Sequence, residues 1–99
     1  DIAADPAGTV WGLDKSSGSV MWQQPALARR SLSGVAIQGD YAVVGDLDGY
    51  LHWLKLSDGA FAARMRMGKD PVRAAPVVAD GVLVAQDTDG RISAYRLGQ

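Results

Sequence analysis

Three glycines, Gly8, Gly49 and Gly90, stand 41 residues apart, and the residues around them repeat with them. Tyr41-Ala-Val-Val-Gly-Asp-Leu-Asp-Gly49 aligns without gaps on Val82-Leu-Val-Ala-Gln-Asp-Thr-Asp-Gly90, and Asp5, Asp46 and Asp87 fall in one register. A period of this size built from short strands is the signature of a β-propeller blade of four antiparallel strands. Aspartate–glycine steps such as Asp48-Gly49 and Asp58-Gly59 punctuate the strands, because glycine accepts positive φ without steric cost. The fold class expected is therefore all-β, a piece of a β-propeller.

The repeat divides the chain. Residues 1–24 read as a partial blade that opens inside its second strand, with strands over Thr9–Asp14 and Ser19–Gln23. Residues 34–67 hold a complete blade, with strands near Val35–Gln38, Tyr41–Gly45, Tyr50–Leu56 and Ala60–Met67. Residues 75–99 form a last blade without its outer strand, its strands near Pro76–Ala79, Val82–Gln86 and Arg91–Leu97. Tyr41–Val44 and Val82–Ala85 are continuously apolar, as strands covered on both faces are. In the outer strand Phe61, Ala63, Met65 and Met67 alternate with Ala62, Arg64 and Arg66, which predicts one half-buried face and one solvated face. A closed propeller needs about 4–8 blades, so 99 residues are expected to be part of a longer protein.

Composition narrows the function. The formal net charge of −1 lacks the basic excess of a nucleic-acid-binding module. With no cysteine, disulfides, thiol catalysis and cysteine–metal sites are excluded. His52 is the only histidine and sits inside a strand, so it reads as structural. Asp46, Asp48, Asp58, Asp87 and Asp89 follow the turns and match no calcium loop; they read as turn aspartates bonding their own backbone. Trp11, Trp22 and Trp53 read as wedges between blades. No set of residues points to nucleophilic catalysis, a metal or a cofactor. The linker Pro25–Ser33 is expected to lie on a rim, where Leu27, Arg29, Arg30 and Leu32 mix apolar and arginine groups as binding anchors do. This linker is the candidate partner-binding site.

The pattern of Gly8, Leu13, Asp14, Ser17, Gly18 and Trp22 resembles the repeat of quinoprotein-type (PQQ-like) propellers, whose blades have the four-stranded WD40-like form. The middle copy departs from it, with Lys55 for the aspartate and Ala63 for the tryptophan. Gly45-Asp46, Gly49-Tyr-Leu-His-Trp53, Asp58-Gly59 and Pro76-Val77 through Ala79-Asp80-Gly81 are similar to the C-terminal blades of the BamB family, propeller lipoproteins of outer-membrane protein assembly. The ending at Gly98-Gln99 without a fourth strand fits that position.

The resemblance implies a scaffold without enzymatic activity or cofactor. It implies binding to the POTRA domains of BamA, and action on unfolded outer-membrane protein substrates at the periplasmic face of the outer membrane. Attachment would be through an N-terminal lipid anchor that this chain lacks. The other function class that the repeat leaves open is a fragment of a PQQ-dependent quinoprotein dehydrogenase, which would need carboxylates and calcium facing the central channel. Taken alone, the chain would expose sheet edges and is expected to self-associate.

Overall fold

The computed structural model describes residues 1–98; the expected end of the last blade at Gln99 lies outside the described residues. Ten strands follow one another: β1 (Ile2–Ala4), β2 (Val10–Leu13), β3 (Val20–Gln24), β4 (Ala36–Gln38), β5 (Tyr41–Gly45), β6 (Tyr50–Lys55), β7 (Phe61–Arg66), β8 (Val77–Ala79), β9 (Val82–Gln86) and β10 (Ile92–Tyr95). They pair antiparallel into three sheets, β1-β2-β3, β4-β5-β6-β7 and β8-β9-β10. There is no helix among the described residues.

The sheets stack face to face, and two apolar layers hold the stack together. Val10, Trp22, Leu27, Val44 and Leu54 fill the first layer, between the first and second sheets. Ala36, Val43, Leu51, Trp53, Val72, Leu83 and Ala85 fill the second, between the second and third. Neighbours in one strand point to opposite faces, so Val43 serves one layer and Val44 the other. This is the physical reason that Tyr41–Val44 is apolar throughout. Truncating a fully buried leucine such as Leu51 or Leu54 to alanine should cost about 2–5 kcal/mol.

Two expectations about faces need correction. In β9, Leu83 and Ala85 are buried, but Val84 is exposed and Val82 only half-buried. Its second face has no covering sheet, so it is not buried on both sides. The outer strand β7 is exposed at all six positions rather than half-buried. Its alternation is also interrupted, because the β6–β7 register shifts between Trp53 and Leu54, leaving Ala62 unpaired. Phe61, opposite Leu54, thereby turns away from the face of Ala63 and Met65, and its ring lies edge-on to His52 with centroids 6.1 Å apart. The same shift occurs between Gly12 and Leu13 against β3, at the equivalent repeat position.

The repeat glycines carry the turns. Gly8, Gly49 and Gly90 have φ of 94°, 88° and 88°. At Gly49 conformation is not the only constraint: a Cβ there would overlap the backbone carbonyl of Gly68. Around Gly90 the same atom would meet nothing.

Candidate interaction surface

Each β-turn that carries a repeat glycine is built on one aspartate. The N–H groups of Gly8, Gly49 and Gly90 donate to the carbonyls of Asp5, Asp46 and Asp87 at 3.0, 3.3 and 3.1 Å. The carboxylate Oδ1 atoms accept backbone N–H bonds from Thr9 (3.0 Å), from Asp48 (2.9 Å) and Tyr50 (3.0 Å), and from Asp89 and Arg91 (both 2.9 Å). The turn role expected is the role of Asp46 and Asp87, and Asp58 shares it by accepting from Ala60 N–H at 2.9 Å, whereas Asp48 and Asp89 turn their carboxylates toward Arg30 (3.9 Å) and Arg91 (3.6 Å) instead.

The second carboxylate oxygen takes a different partner in each copy. Trp11 Nε1 donates to Asp5 at 2.8 Å, and Arg91 Nη1 approaches Asp87 at 3.1 Å. The middle copy is the most enclosed, since the partner of Asp46 is the buried His52 and that of Asp87 the half-exposed Arg91: Asp46 Oδ2 lies 2.7 Å from His52 Nε2 and 3.2 Å from Arg30 Nη1. Burial pushes the Asp46 carboxyl up, yet the bonds from His52 and the Tyr50 and Asp48 N–H groups outweigh it and hold its pKa below the usual value. Burial lowers the His52 pKa, and the pull of Asp46 only partly offsets it. The pair is thus a carboxylate accepting from a neutral imidazole, which is a structural use of both groups.

The tandem bonds fix the linkers on the rim formed by these turns. Leu47 N–H donates to the Arg30 carbonyl at 2.8 Å, Val72 N–H to the Asp46 carbonyl at 2.9 Å and Thr88 N–H to the Pro71 carbonyl at 2.9 Å. Within the first linker the four candidate residues divide. Leu27 is buried in the first apolar layer, and Leu32 packs half-buried against it. Arg30 is half-buried and anchored on Asp46, with Asp48 Oδ2 3.9 Å away. Arg29 is exposed, and its backbone is held at φ 67°. Leu47, 40% exposed in the adjoining turn, is the large apolar side chain this rim offers to solvent.

Two tryptophans bridge sheets, as expected of wedges. Trp22 Nε1 donates to the Leu56 carbonyl of the second sheet at 2.8 Å, and the Trp53 ring lies edge-on to Tyr95 of the third sheet with centroids 5.4 Å apart, while its Nε1 donates within its own sheet to Gln38 Oε1 at 2.8 Å. Trp11 instead serves its own sheet through Asp5. Gln38 is a residue that sequence reasoning missed. Fully buried, it passes the bond on from its Nε2 to the carbonyls of Gly81 (3.0 Å) and Tyr95 (2.9 Å), tying the second sheet to the third. Its signal was a lone polar residue closing the apolar run Val35-Ala-Ile. Ser33 was missed too; its buried hydroxyl accepts from Gly45 N–H at 2.8 Å. Among the described residues no three acidic or histidine side chains converge as a metal site would require.

The family profile described as "Outer membrane protein assembly factor BamB" matches residues 6–97. The chain belongs to the BamB family. The BamB of Xanthomonas campestris pv. campestris is 70% identical over 99% of the chain, and that of Escherichia coli K12 is 35% identical over 89%. The chain spans 24% and 22% of the length of those two BamB proteins. The crystal structure of BamB from Moraxella catarrhalis superposes with a TM-score of 0.89 at 27% identity, covering 97% of this chain and 29% of that one. A computationally designed protein, Ika4, shares the fold alone, at a TM-score of 0.80 and 18% identity. The three stacked sheets are therefore part of a PQQ-like β-propeller of the BamB type.

Proposed function

We propose that this chain is part of a non-enzymatic scaffold that binds the POTRA domains of BamA, and unfolded outer-membrane protein substrates, at the periplasmic face of the outer membrane. A lipid anchor at the N-terminus of the intact protein would hold it there. The names of its BamB relatives support the assembly role. One observation supports the non-catalytic reading above others. The most enclosed titratable cluster, Asp46, His52 and Arg30, spends its hydrogen bonds on the turn and the linker. A quinoprotein reading would need carboxylates free to face a cofactor. Asp46 and Asp87 instead give their oxygens to their own loops.

The partner surface is the rim of the first linker. Leu27 and Leu32 support it from beneath, Arg30 fixes its height on Asp46, and Arg29 with Leu47 is its accessible part. Rim charges act chiefly on association rate and specificity. Replacing Arg29 with glutamate should weaken binding of the intact protein to the BamA POTRA domains by about tenfold, roughly 1.4 kcal/mol, with an unchanged melting temperature. An unchanged dissociation constant would exclude this surface. Elemental analysis and an absorbance scan of the purified intact protein should find neither a stoichiometric metal nor a quinone. Finding either would overturn the non-enzymatic reading.

A further inference from the structure

The outer strand β7 has the makings of a second binding surface, independent of the rim. It closes the order β4-β5-β6-β7 and, among the described residues, pairs with no strand on its far side. All six of its residues are exposed. Met67 N–H donates to the Gly49 carbonyl at 2.9 Å, and Leu51 faces Met65 in the same ladder. Hydrogen-bonded pairs alternate along an antiparallel ladder, so the N–H and C=O groups of the intervening Arg64 and Arg66 point outward. An unpaired row of this kind accepts an added strand.

The side chains beside that row are selective. The Arg64 and Arg66 guanidinium carbons lie 4.7 and 4.9 Å from the centre of the Tyr50 ring. Arg66 Nε is further fixed by the carbonyls of Gly68 (2.8 Å) and Asp48 (3.2 Å). Neither arginine has a carboxylate partner among the described residues, whereas Arg30 and Arg91 do. Two cations are thus held in place on one face of the edge, so less side-chain freedom is lost on binding. On the other face Met65 is half uncovered. A second copy of β7 is a poor fit, because pairing would bring arginines against arginines. The edge of β3, Val20-Met-Trp-Gln-Gln24, carries no charge and lacks this bias.

We propose that β7 takes up an extended segment of another polypeptide as an additional strand, one with carboxylates at alternate positions facing Arg64 and Arg66 and apolar side chains between them. Main-chain bonds to the two outward residues supply the attachment, and the arginine pair selects the sequence.

The test uses the intact protein and two short synthetic peptides, one alternating valine with glutamate and the other valine with lysine. The glutamate peptide should slow amide hydrogen exchange at Arg64 and Arg66 by about tenfold or more and bind more tightly than the lysine peptide. Arg64→Pro removes an outward N–H without touching the β6 ladder, a change tolerated on an edge strand, and should abolish that binding. Should this variant fail to fold, the exposed double change Arg64→Glu with Arg66→Glu decides instead, and should reverse the preference toward the lysine peptide. Unchanged exchange at both residues under saturating peptide, equal affinity for the two peptides, or undiminished binding by a folded Arg64→Pro protein would each overturn the proposal.

Discussion

Asp46 concentrates what a single residue contributes here. Its two oxygens close the β5–β6 turn, orient His52 and anchor the linker through Arg30. Removing the carboxylate leaves several buried donors without an acceptor, so Asp46→Ala should destabilise the protein by about 3 kcal/mol, read from urea denaturation. The sign of the pH dependence follows from the same contacts. The Asp46 pKa is depressed in the fold, so its stabilising share is complete above the ordinary carboxylate value of 3.8 and is lost as pH falls through the folded value. The His52 pKa is depressed as well, because burial disfavours the imidazolium. Below the ordinary histidine value of 6.5, the unfolded chain binds that proton first, so stability falls with pH. Both groups make the protein weaker in acid. His52→Gln, which keeps a donor for Asp46, should flatten the decline just below pH 6.5 while leaving the lower carboxylate transition. A slope unaltered by this change would mean that His52 does not titrate differentially. The turn role of the aspartates was legible from their register alone. The partner of Oδ2 was not: position six residues later holds Trp11 in one copy and His52 in the next, and which atom reaches back depends on the side chain's own length and face.

At the scale of the element, the strand positions were legible, since apolar runs and aspartate–glycine steps recur together and leave little room for another register. What the sequence concealed was the bulge opposite Trp53 and Leu54, because one unpaired residue leaves no compositional mark. It turns Phe61 onto the side of His52, and a strict period-two reading sends it the other way. The linker suffered a similar limit. Leu27 and Arg30 have the composition of a binding surface, but the chain folds one into an apolar layer and the other onto a carboxylate. The two repeat glycines provide a test of turn against packing. Both have φ of 88°, so alanine at either is strained, at a cost of about 1 kcal/mol. Gly49→Ala adds an overlap with the Gly68 carbonyl that Gly90→Ala does not meet. The denaturation midpoint should therefore fall clearly further for Gly49→Ala than for Gly90→Ala. Equal losses would show that conformational strain alone governs both turns.

At the scale of the whole molecule, the decisive fact is that the sheets cover one another unequally. Ala36, Val43 and Leu51 of the second sheet are buried against the third. The residues one repeat later, Val77, Val84 and Ile92, occupy the same positions in the third sheet and are 65%, 38% and 68% exposed. Repeat symmetry therefore identifies what this face is shaped to receive: another sheet of the same kind. The first sheet presents the opposite terminal face, where Val20 is 57% exposed. A stack whose two ends are complementary in this sense joins head to tail, and closes when the rotation permits. The 99 residues studied as an isolated chain should accordingly sediment as a species larger than a monomer, with a weight-average mass that rises with concentration. Ile92→Lys places a charge on the open face without disturbing any buried contact, so it should shift the chain toward monomer while its secondary structure is retained. A wild-type chain that sediments as a monomer and unfolds cooperatively would show that the open faces are too small or too weakly apolar to drive association.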